Sequence, residues 1–305
     1  MEQYKNIPQF KNKTCVAIGK FDGVHLGHVT LLEELVLISE LNELESVVLT
    51  FDPFPEEFFM KKEMPRINTK GEIISEMEEI GIDNLVRVSF DEEFAKMKPE
   101  DFVKKILADK LKAAVVVCGE DVSFGCEGSG NLELLSKLGK KYGFSVEVVE
   151  KVVYNENDIS STGIIKALSE GRTEDASEML GYDYYLYGPV LEGKALGREF
   201  GFPTANINPT KGRLIPKKGV YFTVVETKDG EYNAVTNVGI RPTVSDEGNV
   251  NIESYLLTDE KINLYNERIK VYFLHYLRDE IKFAGEEELF GQIKEDVEKA
   301  KRFFA

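Results

Sequence analysis

Two of the three histidines in the chain lie three residues apart, as His25 and His28, within the stretch Gly19-Lys-Phe-Asp-Gly-Val-His-Leu-Gly-His. This stretch follows a short apolar run and opens a segment with helical spacing. Glycines allow a backbone to approach a ligand closely, and a helix N-terminus offers unpaired N–H groups. Two imidazoles there can stabilise charge that develops on a phosphoryl group. The pattern predicts nucleotide phosphate chemistry of the kind used in adenylyl transfer.

Two other interpretations of the histidine pair stay open from the residues alone. A His-x-x-His pair can bind a metal, but that needs a third ligand and leaves the glycines unexplained. The histidines can also serve only to cap the helix.

A second polar loop lies in the other half of the chain, over residues 193–206. Its three glycines are four residues apart, and it ends in Pro203-Thr204-Ala-Asn206. The oxygens of Thr204 and Asn206 suit a hard cation such as Mg²⁺. An ordinary Gly/Pro turn between strands is the alternative. A P-loop is rejected for the overlapping stretch 188–195, because Ala195 replaces the required Ser or Thr.

The elements that must position the first loop alternate between apolar runs and amphipathic segments. Such alternation predicts a parallel, doubly wound α/β sheet with its ligand site beyond the carboxyl ends of the strands. The turns after Gly19, Phe51 and Gly119 are therefore the places to look for chemistry. The predicted strands are Thr14–Gly19, Ser46–Phe51, Leu85–Val88, Ala113–Cys118 and Ser145–Val149; the predicted helices are Val29–Leu41, Gly71–Ile80, Pro99–Leu111 and Leu132–Tyr142.

After about residue 181 the pattern changes to short alternating runs separated by turns, which predicts an antiparallel barrel or sandwich. An amphipathic helix over Glu286–Phe304 closes the chain, and Ala167–Leu180 forms a polar helical connector. The predicted domains are 1–168 and 182–305, with 169–181 as the connector. The predicted strands are Tyr184–Val190, Val220–Thr227, Tyr232–Val238, Val250–Leu257 and Ile269–Leu277.

The composition narrows the class of partner. The 305 residues carry 38 basic and 54 acidic side chains, a net charge of −16. That balance argues against nucleic acid and anionic membranes, but not against small phosphorylated ligands. Three cysteines without a C-x-x-C pair and a polar N-terminus indicate a soluble, cytoplasmic protein. The oligomeric state is left open.

The first loop resembles the bacterial riboflavin kinase/FAD synthetase family, whose N-terminal domain is a nucleotidyltransferase. The stretch Phe21–His28 is similar to its signature. Thr50–Pro55 matches its proline-rich segment, Gly119–Gly125 its Gly-x-Asp-Phe-x-Phe-Gly loop, and Ile159–Thr162 its Ile-Ser-Ser-Thr motif.

The second half resembles the same family over its kinase domain. The Pro-Thr-Ala-Asn stretch matches the kinase loop, and 237–243 matches the Asn-x-Gly-x-Arg/Asn-Pro-Thr loop. Glu253 stands where the family has its catalytic base. In a strand it projects on the face opposite Ile252 and Ser254, with Asn251 and Tyr255.

The resemblance implies riboflavin kinase and FMN adenylyltransferase activities, with ATP as co-substrate, Mg²⁺ as the metal, and riboflavin, FMN and FAD as substrates and products. It also implies a role for each matching residue. It implies that His25, His28 and Glu253 are catalytic, that Asp121, Phe124, Arg241 and Arg278 line the flavin and adenine pockets, and that Thr204 and Asn206 bind Mg²⁺. The residues that it implies for nucleotide or phosphate binding are Gly19, Phe21, Asp22, Gly23, Gly27, Ser161, Thr162, Gly197, Arg198, Gly201, Pro203, Thr204 and Asn206.

The chain departs from the family after the Ile-Ser-Ser-Thr motif. Gly163 and Ile165 stand where two arginines are usual, and Lys166 is the nearest cation. These residues motivate a second hypothesis, a kinase whose N-terminal domain transfers AMP poorly. A third is a flavin-binding regulatory protein without catalysis, against which the intact Thr204, Asn206 and Glu253 argue.

Overall fold

The computed structural model describes residues 1–191, 204–240, 250–258, 262, 264 and 267–305. The chain divides into two compact units, Met1–Ser161 and Thr162–Ala305. Among the described residues, no helix combines the length and the apolar character needed to cross a bilayer.

The first unit is built on a six-stranded sheet with the strand order β1-β4-β3-β2-β5-β6. Every neighbouring pair in it is parallel. The strands are β1 (Glu2–Tyr4), β2 (Thr14–Ile18), β3 (Glu45–Phe51), β4 (Asn84–Val88), β5 (Ala113–Gly119) and β6 (Ser145–Val149). The predicted α/β class is confirmed, and the edge strand β1 was not predicted.

Both faces of this sheet are buried. Alternate residues of the central strand β2 enter different core clusters: Val16 packs on one face, and Cys15 and Ala17 pack on the other. A strand covered on both sides must be apolar throughout, which explains its continuous apolar run. The order of the strands reverses between β2 and β5, so the loop after β2 lies at the topological switch point.

Helices connect the strands of the first unit. They are α1 (Leu26–Leu41), α2 (Pro55–Met60), α3 (Lys70–Ile80), α4 (Glu92–Ala95), α5 (Pro99–Asp101) and α6 (Leu132–Tyr142), with a π-helical stretch over Phe102–Lys110. The π-helical geometry departs from the α-helix predicted there. The four buried residues Phe102, Val103, Ile106 and Leu107 lie on one face of that stretch, and their spacing does not distinguish the two helix types. A small hairpin follows, β7 (Val153–Tyr154) and β8 (Asn157–Asp158).

The second unit is a closed antiparallel barrel with the order β10-β13-β12-β11-β14-β9. Its strands are β9 (Tyr185–Leu191), β10 (Thr204–Ile207), β11 (Gly219–Thr227), β12 (Gly230–Ile240), β13 (Val250–Leu256) and β14 (Arg268–Arg278). The prediction of a barrel or sandwich is thus resolved as a barrel. The terminal helix α9 (Glu286–Phe303) packs beside β12.

The stretch predicted as one helical connector, Ala167–Leu180, contains the end of α7 (Ser161–Glu170) and the whole of α8 (Thr173–Leu180). The break falls at Gly171, whose φ is +82°, a backbone conformation that favours glycine. A Cβ atom there would lie 3.0 Å from the Tyr276 ring. Helix α8 packs against β14.

Candidate active sites

The histidine pair lies where the loop after β2 becomes α1. His25 is the N-cap of this helix, and its Nδ1 accepts a hydrogen bond of 3.3 Å from the backbone N–H of His28. The two imidazole rings are stacked, with centroids 3.6 Å apart and planes inclined by 17°. The capping interpretation is therefore confirmed for His25, and the cap uses Nδ1 of its ring.

Both imidazoles are neutral near pH 7. Burial lowers the pKa of His25 from 6.5 to about 4. Burial, followed by repulsion from His25 and Lys20, lowers the pKa of His28 well below its usual value. Because Nδ1 of His25 accepts the capping hydrogen bond, its proton resides on Nε2. The pair can therefore stabilise a phosphoryl group by donating hydrogen bonds, but not as two cations.

Close packing explains the glycines of this loop. A Cβ atom on Gly19 would lie 2.9 Å from the Phe21 ring, and Gly23 has a φ of +87° beside Ile67. Gly27 packs under the His25 ring, which a Cβ atom would approach to 3.3 Å. Phe21 itself has a φ of 54°. This left-handed backbone turns the chain sharply from the sheet into α1.

Asp22 has a structural role that the sequence did not reveal. Its carboxylate accepts hydrogen bonds from the backbone N–H groups of Ile67 (3.0 Å) and Asn68 (3.3 Å). Its backbone carbonyl accepts one from Oγ of Ser161 at 2.8 Å. The structure therefore brings Ser161 to the histidine loop. Thr162, the next residue, belongs to the first turn of α7.

The loop after β5 separates its two predicted pocket residues. The Asp121 carboxylate is 73% exposed and lies 3.3 Å from Nζ of Lys151. Phe124 is buried and packs against Phe102, with ring centroids 5.8 Å apart. Asp121 is thus accessible to a ligand, while Phe124 contributes to the core.

A cleft opens at the carboxyl ends of β3 and β4. Its lining comprises four cations, the carboxylate of Asp52 and several apolar side chains. The cations are Lys20, Arg66, Lys70 and Arg87. The turn after Phe51 was predicted as a place for chemistry, but the last three cations were not singled out. These cations were missed because they lie apart in the sequence and form no recognisable motif.

In the barrel, Asn206, Glu253 and Asn237 lie side by side on three neighbouring strands. Asn206 of β10 pairs with Glu253 of β13, which pairs with Asn237 of β12. Residues paired in this way share one face of a sheet. Glu253 is half-buried between the buried Ile252 and Ser254, which agrees with the predicted alternation.

One further contact and one pKa shift characterise this face of the barrel. Nδ2 of Asn237 lies 3.3 Å from Oε1 of Glu280. Burial, followed by the negative charge of Glu253, raises the pKa of Tyr255.

Arg278 forms a buried ion pair with Asp296 of α9. Its Nε lies 3.2 and 3.1 Å from the two carboxylate oxygens, and its Nη2 lies 2.5 Å from one of them. The Asp296 side chain is only 2% exposed. The predicted residues Gly197, Arg198, Gly201, Pro203 and Arg241 lie outside the described residues.

The described part of the chain holds no group of three or more His, Cys, Asp or Glu side chains arranged for a metal ion. The metal interpretation of the histidine pair therefore gains no third ligand there. Thr204 and Asn206 lie two residues apart on β10, so both project from the same face beside Glu253. Hydroxyl and amide oxygens are ligands that suit Mg²⁺.

Comparison with known proteins covers both units. The FAD synthetase family model matches residues 7–163, and the riboflavin kinase model matches residues 180–304. The bifunctional riboflavin kinase/FMN adenylyltransferase of Haemophilus influenzae is 38% identical over 292 residues, which cover 95% of this chain and 94% of that protein. The protein of the same name from Escherichia coli is 34% identical over 302 residues, with 98% and 96% covered.

A crystal structure described as a macrolide-efflux protein from Streptococcus pneumoniae is also similar. It shares 28% identity and superimposes with a TM-score of 0.84 over 98% of both chains. The two family models match successive parts of the chain, each over one compact unit, and the relatives match nearly its whole length. The chain therefore belongs to the family of bifunctional riboflavin kinase/FMN adenylyltransferases.

Proposed function

We propose that the chain makes FAD from riboflavin in two ATP-dependent steps. The barrel phosphorylates riboflavin to FMN, and the N-terminal α/β domain transfers AMP from ATP to FMN with release of pyrophosphate. The observation that carries the proposal is that each family match coincides with one compact unit and one candidate site. The kinase-only and regulatory alternatives are not favoured, because the matches extend through both halves.

Adenylyl transfer needs no side-chain nucleophile. A phosphate oxygen of FMN attacks the α-phosphorus of ATP, the new P–O bond forms, and the bond to pyrophosphate breaks. In this proposal Nε2–H of His25 and the neutral imidazole of His28 donate hydrogen bonds to the oxygens on which charge develops. The low pKa of His25 supports this role, since a neutral donor keeps its proton throughout the step. Ser161 and Thr162 bind the leaving phosphates.

Backbone groups complete the phosphate site of this domain. Gly19, Gly23 and Gly27 let the loop lie close to the triphosphate. Asp22 acts indirectly in this scheme, because its carboxylate fixes residues 67–68 and its carbonyl holds Ser161. Asp121 contacts the nucleotide from the loop after β5.

In the kinase reaction, Glu253 takes the proton of the riboflavin 5′-hydroxyl as its oxygen attacks the γ-phosphorus of ATP. The half-buried position of Glu253 beside Asn206 supports this role. Thr204 and Asn206 would hold Mg²⁺, which neutralises charge on the ATP phosphates when bound. Arg278 orders the barrel next to the flavin through its ion pair with Asp296.

We also propose the domain limits 1–168 and 182–305 with a connector at 169–181, and a location in the cytoplasm. The cysteines support the latter, since Cys15, Cys118 and Cys126 are free thiols. Such thiols suit a reducing compartment. The absence of nucleic acid partners remains a prediction.

Separate half-reactions test the proposal. Glu253→Gln is expected to abolish FMN formation from riboflavin while still converting supplied FMN to FAD. His28→Gln is expected to abolish FAD formation from FMN while still converting riboflavin to FMN. If both variants retain both activities, the assignment of one reaction to each domain is wrong.

A further inference from the structure

We infer that the cleft at the carboxyl ends of β3 and β4 binds the phosphate of the acceptor FMN, with Arg87 as a principal ligand. This inference rests on the proposed adenylyl transfer and assigns residues that no motif identified. It starts from a contrast in charge. A chain with a net charge of −16 places four cations around one cleft of its first unit.

Carboxylates pair with three of these cations. Nζ of Lys20 lies 2.5 Å from Oε1 of Glu56, and Nζ of Lys70 lies 2.7 Å from Oδ2 of Asp52. Arg66 forms an ion pair with Glu57, and its guanidinium stacks over the Phe54 ring.

Arg87 differs from the other three. Its Nη2 donates a hydrogen bond of 3.2 Å to the neutral amide oxygen of Gln3. Its Nε is buried and has no hydrogen-bond partner within the described ranges, where Arg87 also has no ion pair. Arg87 is thus a lining cation whose charge no carboxylate of the described ranges balances, so this position is suited to an anion. Guanidinium groups bind phosphate with two N–H donors at once.

The cleft adjoins the histidine loop through Thr50. Thr50 pairs with Arg87 across β3 and β4, so both side chains point to the same face of the sheet. The Thr50 hydroxyl donates a hydrogen bond of 3.2 Å to the carbonyl of Lys20. Lys20 is near enough to His28 to lower its pKa by repulsion. An anion bound at Arg87 therefore lies next to the histidine loop, at the ends of β3 and β4.

This placement favours the acceptor over ATP as the source of the phosphate. Ser161, the residue assigned to the leaving phosphates, contacts the loop through the carbonyl of Asp22. Arg87 lies on β4 and Lys70 begins α3, so neither belongs to the segment that contains Ser161. Both line the cleft together with the apolar residues Phe51, Ile73 and Ile74. A phosphate monoester with an apolar body matches such a lining.

Initial rates of FAD formation by the full chain, with FMN and ATP varied separately, test the inference. Arg87→Met is expected to raise KM for FMN by about 10- to 100-fold, because a hydrogen bond to a charged group is lost. KM for ATP and the rate of FMN formation from riboflavin should stay within about twofold. Lys70→Met, at a half-exposed side chain, should give a smaller rise in the same direction and covers the case that Arg87→Met does not fold.

Lys96→Met is the matched control, since Lys96 is an exposed cation of the same domain whose one ion pair in the described part of the chain is with Glu92. It should leave both KM values unchanged. Inorganic phosphate should compete with FMN in the unmodified protein and more weakly in Arg87→Met.

Three outcomes separate the possible failures. If KM for ATP rises instead of KM for FMN, the cleft serves the nucleotide and the inference is wrong. Unchanged KM values in both cleft variants would overturn it as well. If the unmodified protein forms no FAD from FMN, the adenylyltransferase function itself is refuted, and the cleft loses the acceptor proposed for it.

Discussion

His25 combines two roles that a single substitution can separate. It caps α1 through Nδ1, and in the proposed mechanism it donates a hydrogen bond through Nε2. Asparagine is among the best N-cap residues, so His25→Asn can keep the cap while it removes the imidazole. His25→Ala removes both. Comparison of the two variants therefore assigns the loss of activity to one role.

The expected magnitudes differ clearly. Losing the cap should cost His25→Ala about 1 kcal/mol in the free energy of unfolding, and His25→Asn much less. Losing one preorganised donor to the reacting phosphoryl group should lower the rate of FAD formation by about 10²- to 10³-fold in both variants. The transfer step thus becomes slower in His25→Asn without an equivalent loss of stability.

The assay is FAD formation from FMN and ATP, resolved by chromatography, alongside urea unfolding. Formation of FMN from riboflavin serves as the internal control, because that reaction belongs to the barrel. If His25→Asn makes FAD within about threefold of the unmodified rate, well short of the loss expected for a catalytic donor, His25 is only a helix cap and the proposed role is wrong.

Three further predictions concern the kinase base, acid stability and the barrel. Glu253→Gln should lower FMN formation by about 10²- to 10⁴-fold, whereas FAD formation from supplied FMN should not change; an unaffected kinase rate would exclude Glu253 as the base. Because burial lowers the pKa of His25 from 6.5 to about 4, the unfolded chain binds more protons between these values. The stability present above pH 6.5 should therefore fall by about 3 kcal/mol as the pH drops to 4, and His25→Asn should reduce that dependence in urea unfolding. Arg278→Met should lower the free energy of unfolding by about 3 kcal/mol, since it leaves the buried Asp296 without its partner; an unchanged urea midpoint would contradict the ion pair.

The sequence predicted the elements whose burial is regular. Continuous apolar runs gave the central strands, and the alternation around Glu253 placed it on the correct face of β13. Two short strands were not predicted. The edge strand β1 has three residues, and β10 begins at Thr204 inside a stretch that reads as a Gly/Pro loop. Strand pairing, not local composition, defines both.

The candidate sites divide in the same way. The histidine loop is contiguous in sequence, so its glycines and imidazoles were predicted together. Asp22 was predicted as a phosphate ligand, but the sequence does not contain the information that its carboxylate meets residues 67–68. Likewise, Arg87 joins Thr50 only through the register of two strands. Long-range contacts of this kind become visible only in the fold.

Both steps, phosphorylation of riboflavin and adenylylation of FMN, are assigned to one chain. The most direct measurement is a time course of the purified protein with riboflavin, ATP and Mg²⁺, in which the flavins are separated by chromatography. If one chain performs both steps, FMN rises first and FAD then forms as FMN is consumed. Persistent FMN without FAD, also when FMN is the supplied substrate, would contradict it.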